Sequence, residues 1–147
     1  MKRSYELGIV AILFVLDRVT KWYAFTLQPA YHEVTPFLAW DFSVNRGVAF
    51  GIASSNEERL FLLLSFVVAL LAAGCCWVAY TRWQARGAFL GMGLLAAGAL
   101  SNVIDRISYA GVIDFILLHY KTWYWPTFNI ADMMICTAVF LILFFEE

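Results

Sequence analysis

From residue 60 to residue 80 the chain passes through aliphatic and aromatic side chains without a single charge. About 20 such residues in a helix cross the hydrocarbon core of a bilayer, whereas a helix on a small soluble core keeps a polar face. Three more segments approach that length, at residues 7–27, 88–104 and 128–145. The chain is 63% hydrophobic and 14% charged, against roughly a quarter charged in soluble domains. The fold class expected is therefore an all-α membrane protein of four transmembrane helices. With no internal repeat or low-complexity linker, residues 1–147 read as one domain. Ser55 and Glu58 stand at capping-box spacing and predict that the second helix begins near Asn56.

Lys2 and Arg3 before the first apolar stretch imitate a signal peptide. No small-residue cleavage site closes that stretch, and Asp17, Arg18 and Lys21 interrupt it, so it reads as a retained helix. The same two basic residues, together with Arg82 and Arg86 in the short connection 81–87, place both termini and that connection on the cytoplasmic side. Residues 28–56 and 108–127 then face outward. In the first of these, Trp40, Phe42 and Val44 alternate with Asp41, Ser43 and Asn45, the period of a half-buried strand, which predicts a small extracytoplasmic β-sheet in the first outer loop. The second carries Asp114 and the cluster Trp123, Tyr124 and Trp125, suited to the headgroup level.

Several chemistries are excluded or left without support. Net charge is -1 and the charges are scattered, so nucleic acid is not an expected partner. Cys75, Cys76 and Cys136 form no C-x-x-C element, and His32 and His119 no H-E-x-x-H element, so neither a metal site nor any other cofactor is expected. No serine has a nucleophile-elbow context. Gly87 and Gly91 form a small-xxx-small pair, a helix-packing signal in membranes.

What remains is a set of polar residues at membrane depth, where ionisable groups are costly and face a partner or a wet cavity. Asp105, Arg106 and Asp114 follow the third span, and Asn129 and Asp132 open the fourth, on the same side of the membrane. If Asp114 and Asp132 meet, they can share a proton, one serving as base toward a water while the other polarises a carbonyl. The plainer alternatives are that Asp132 caps the fourth helix and that Asp114 is a solvated loop charge. Asp17 and Lys21, four apart on one helix face, read as a structural pair, and Arg106 as either the ion-pair partner of Asp105 or a donor to substrate carbonyls.

Four blocks in order carry a resemblance: Asp17-Arg18-Val19-Thr20-Lys21; Asn45-Arg46-Gly47-Val48-Ala49-Phe50-Gly51; Asn102-Val103-Ile104-Asp105-Arg106 leading to Asp114-Phe115-Ile116; and Phe128-Asn129-Ile130-Ala131-Asp132. In order, spacing and span layout the chain resembles bacterial lipoprotein signal peptidase, the inner-membrane aspartyl peptidase that cuts prolipoproteins before a diacylglyceryl-bearing cysteine. The resemblance implies a catalytic pair of Asp114 and Asp132. It also implies substrate-lining roles for Asn45, Gly47, Asn102, Arg106 and Asn129, and structural polar roles for Asp17, Lys21 and Asp105. Diacylglyceryl-prolipoproteins and membrane lipids are the partners it implies. The chain departs from the family at Ala97 and Ser101, where glycine is usual, and at Ala110, with the glycine of that block one residue later at Gly111.

Two other functions fit parts of the pattern. A proton-coupled carrier would use Asp17, Lys21 and Asp132 as an ion path, but that path should cross the bilayer and the second span carries no charge to continue it. A non-catalytic assembly factor would leave the Asn and Asp pairs without a purpose. The orientation is open to test: in a background lacking the native cysteines, an impermeant thiol reagent added outside should label a cysteine placed at Ser108 and not one placed at Gln84. The reverse pattern overturns the orientation.

Overall fold

A helix crossed by Asp17, Arg18 and Lys21 cannot leave them in an apolar medium, so the position of α1 is dictated by where those side chains find partners. In the computed structural model, which describes residues 2–27, 31–47 and 57–145, α1 spans Lys2–Leu27 and buries Asp17 and Lys21 completely. Its polar face lies on α3 (Leu90–Tyr109) and on the start of α4 (Ile130–Phe144), while Ile12, Val15, Val19 and Trp22 point away from the protein. Helix α2 (Glu58–Gln84) packs on the other side of α3 and exposes Leu62, Leu63, Phe66, Leu70, Leu71 and Trp77. Among the described residues, α2 and α3 are long and apolar enough to cross a membrane by length and composition, and α4 is a shorter apolar helix.

The connection expected at 81–87 is largely helical: α2 continues through Gln84, with Arg82 in its last turn, where a cation complements the free carbonyls. Gly87 donates its N–H to the Arg82 carbonyl at 3.0 Å in the turn that follows, so it is not on α3 and makes no helix-packing pair with Gly91. The close helix contact belongs instead to Gly98, where a Cβ would stand 2.7 Å from the Ala131 carbonyl oxygen and 2.9 Å from Ile135 Cγ1. α3 and α4 therefore approach backbone to backbone. The expected cap at Ser55 and Asn56, and Val48 to Gly51 of the second block, lie outside the described residues.

The sheet is larger than expected and is assembled from both outer segments. β1 (His32–Thr35) and β2 (Leu38–Asn45) form a hairpin, but β2 also pairs antiparallel with β3 (Val112–Tyr120), and β3 with β4 (Trp123–Tyr124). A two-stranded hairpin alone is marginal and leaves the backbone groups of β2 unpaired on one edge, which β3 satisfies. Asp114 accordingly sits on a strand opposite Ser43, not on a loop. At the α3–β3 junction Ala110 adopts φ 54, ψ 31, the left-handed region. Next to it, a Cβ on Gly111 would stand 2.5 Å from Val44 Cγ1 and 3.1 Å from the Asn45 carbonyl oxygen. Space and backbone conformation thus make separate demands at neighbouring positions: glycine at 111 meets the first, and alanine at 110 meets the second only with strain. Ala110→Gly should raise thermal stability by about 1 kcal/mol, since it relieves the left-handed strain at some cost in unfolded-chain entropy. An unchanged or lower melting temperature would show that the junction carries no such strain.

Candidate active site

Two elements, β3 and α4, deliver the two aspartates to one place. Asp114 is on β3 and 2% exposed. Asp132 is in the first turn of α4, and the bridge Ile116–Phe128 ties the approach to α4 onto β3. Asn129, the N-cap of α4, joins them: its Oδ1 accepts from the Asp132 N–H at 3.0 Å, its Nδ2 donates to Asp114 Oδ1 at 2.6 Å, and its backbone N–H donates to Asp132 Oδ2 at 3.3 Å. The capping reading of Asp132 is therefore realised, in a capping box. One carboxylate oxygen caps the helix, and the other accepts from Asn102 Nδ2 at 2.9 Å.

Asn45 supplies the fourth bond, donating from Nδ2 to Asp114 Oδ2 at 3.2 Å while its Oδ1 accepts from the Gly47 N–H at 2.8 Å. A common logic orients all three asparagines. An amide has an acceptor end and a donor end, and whichever group meets the oxygen decides where the NH₂ points. The oxygens of Asn129 and Asn45 are held by backbone N–H groups, and that of Asn102 by the Lys21 ammonium at 2.8 Å. Each NH₂ is thereby turned toward a carboxylate, and with the Asn129 backbone N–H as the fourth donor every oxygen of the aspartate pair accepts one N–H.

Behind the pair lies a buried ionic cluster. Lys21 Nζ reaches Asp17 Oδ2 at 3.1 Å and Asp105 Oδ2 at 2.8 Å in addition to Asn102. Asp17 also accepts from the Ala131 N–H at 2.7 Å and from Ser101 Oγ at 2.5 Å, which pins the first turn of α4 to α1. Asp105 accepts from Arg18 Nη1 at 2.5 Å and from the Ile113 N–H at 3.3 Å, which pins the start of β3. Asp105 is thus partnered by Arg18 and Lys21, and the alternative pairing with Arg106 is not made; Arg106 Nη2 donates to the Gly47 carbonyl instead. Arg18 and Ser101 are members of the cluster that the sequence names among its polar and departing residues but to which it assigns no site role. Ser101 lies four residues before Asp105 and so shares its helix face, a signal that was available.

Asp132, Asn102 and Arg106 open onto a cavity of about 410 Å³ whose other walls are mostly apolar, among them Val68, Leu118, Trp125 and Ile135. Among the described residues, Arg106 Nε has no hydrogen-bond partner although the residue is 7% exposed. A buried donor without a partner beside a cavity suits a ligand carbonyl. Gly47 is buried at the end of β2, joined to the site through Asn45 and Arg106. Burial, and then the Asp132 charge, push the Asp114 carboxyl up to about 7, against the pull of its bonds from Asn129 and Asn45.

The comparisons with known proteins agree with one another. The family model for signal peptidase (SPase) II matches residues 9–146. A lipoprotein signal peptidase of Polynucleobacter necessarius is 40% identical over 146 residues, covering 95% of this chain and 87% of that protein. One from Solibacter usitatus is 39% identical over 145 residues, covering 92% and 86%. A bacterial membrane enzyme solved by the in meso method at 2.3 Å resolution superposes with a TM-score of 0.79 at 27% identity, covering 95% of this chain and 85% of the other. With its paired aspartates held by oriented asparagines, and with these relatives along nearly its whole length, the chain belongs to the signal peptidase II family.

Proposed function

We propose that Asp114 and Asp132 are the catalytic pair of this enzyme, and that its substrates are prolipoproteins carrying a diacylglyceryl group on the cysteine that follows the scissile bond. Members of the family are bacterial membrane peptidases of the aspartic type that remove signal peptides from lipoprotein precursors, and this chain shares that activity. The observation that carries the assignment is the set of four N–H donors aimed at the two carboxylates, three of them from asparagine side chains whose orientation is dictated from behind.

With its carboxyl raised to about 7, Asp114 is protonated in a substantial share of the molecules at neutral pH, and that form polarises the scissile carbonyl. Asp132 takes a proton from water as the water oxygen bonds to the carbonyl carbon. The tetrahedral intermediate collapses when Asp114 delivers its proton to the amide nitrogen and the C–N bond breaks, the proton taken from water remaining on Asp132. Arg106 and Asn45 hold the peptide backbone, and Gly47 leaves room beside it. The apolar cavity receives the lipid, each buried CH₂ contributing roughly 0.8 kcal/mol.

The surroundings proposed are four transmembrane helices of one domain, residues 1–147, in the bacterial inner membrane with both termini cytoplasmic. The sheet and the aspartates then lie at the extracytoplasmic face. The many large apolar side chains exposed on the outer surfaces of α1, α2 and α4 support this, as do the exposed Trp123, Tyr124 and Trp125 just before α4.

Asp114→Asn and Asp132→Asn should each abolish processing of a lipid-modified precursor in detergent or bilayer, by several orders of magnitude, with the double variant little worse than either. The unmodified precursor should be cut very poorly. Near-normal cleavage by Asp132→Asn would remove the pair, and equal cutting of both precursors would remove the lipid requirement. Stability should follow the same proton. Below pH ~4 the carboxyl is protonated folded or unfolded; between ~4 and 7 the unfolded chain ionises first, so stability falls with rising pH by on the order of 4 kcal/mol, then levels. Asp114→Asn should flatten that slope in melting curves taken across the range, and an unaltered slope would assign it elsewhere.

A further inference from the structure

Of the three asparagines that face the aspartate pair, two have their oxygens held by backbone N–H groups, which do not depend on the side chain at the donor position. The third, Asn102, is held by a side chain. Lys21 Nζ has three protons and three acceptors, Asp17, Asp105 and the Asn102 amide oxygen, and the residue is fully buried. As a counter-ion alone it would need only the two carboxylates. Across the cluster, Arg18 and Lys21 balance Asp17 and Asp105 in formal charge, and the Lys21 charge also favours the ionised form of the Asp114 carboxyl. Beside that charge effect Lys21 exerts a geometric one through Asn102. An ammonium can only donate, so the Asn102 oxygen must face it and the NH₂ must face Asp132 Oδ1, 2.9 Å away. The flipped amide would set NH₂ against ammonium and oxygen against carboxylate, two buried repulsions in place of two bonds.

From this geometry we infer that Lys21 is a positioning residue for the reaction, acting through Asn102 to fix the donor that holds Asp132 in place. The inference rests on Asp114 and Asp132 being the catalytic pair. It separates Lys21 from a purely structural ion pair, because such a pair acts on stability and leaves turnover per folded enzyme unchanged, whereas a misoriented donor lowers kcat without touching substrate docking.

The test is steady-state cleavage of a lipid-modified precursor, with melting temperature recorded for each variant. In Lys21→Met combined with Asp17→Asn the cluster keeps its charge balance. The amide oxygen introduced by Asp17→Asn can still accept from the Ala131 N–H, and the Ser101 hydroxyl can turn to accept from the amide NH₂. This double variant should lose roughly 30-fold in kcat with KM within about twofold. A folded double variant with wild-type kcat overturns the inference. If it does not fold, Asn102→Asp decides: the new carboxylate pairs with Lys21 and preserves the fold, but turns an oxygen toward Asp132, and kcat should fall about 100-fold at near-constant KM. Wild-type kcat in that variant overturns the inference equally. Asp132→Asn run beside them separates the two levels: an active Asp132→Asn defeats the catalytic assignment, whereas an inactive one beside an unimpaired double variant defeats only the role of Lys21.

Discussion

Two carboxylates and two cations are enclosed between α1, α3 and α4, and each must find its partner in the chain. Desolvating such charges costs several kcal/mol apiece, and the loss is offset only where geometry is close and the remaining lone pairs and protons are used. Here they are used: Asp17 takes three contacts, Lys21 gives three, and Asp105 spans Arg18, Lys21 and a backbone N–H. Such a cluster adds little net stability, yet it leaves few arrangements of the three helices in which it can exist at all. It therefore acts as a register device. The aspartate pair inherits its position from it, through Ala131 on one side and Ile113 on the other.

The site is then built from parts that each do two things. Asp132 caps α4 with one oxygen and meets Asn102 with the other, so its rotamer is set by the helix it belongs to. Asn129 caps the same helix and bonds Asp114 on the neighbouring strand. Carboxylates held in this way are preorganised, their orientation set by the fold before any ligand arrives. Of the two carboxylates, that of Asp132 lines the cavity, beside Asn102 and Arg106.

Close backbone approach is the other constraint. Gly98 lets α3 and α4 meet so that Asn102 can reach Asp132, and Gly111 lets β3 lie against β2 so that Asn45 can reach Asp114. The departures from the family pattern fall around these approaches. Ser101, where glycine is usual, is absorbed by a bond to Asp17 and one from Arg18. Ala110 is absorbed less well, in a left-handed conformation that glycine adopts freely.

The four apolar segments, the strand alternation around Trp40 and the identity of the polar residues were legible in the sequence, because hydrophobic length, period-two alternation and the expense of a buried charge are local properties of residue type. So was the pairing of Asp17 with Lys21, since four residues of helix bring them to one face. The partnership of β2 with β3, the strand position of Asp114, the transfer of Asp105 from Arg106 to Arg18 and Lys21, and the orientation of Asn102 were decided only by the tertiary structure. Each depends on contacts between segments far apart in sequence, where spacing says nothing of distance and the unmet hydrogen-bonding capacity of one segment is satisfied by another.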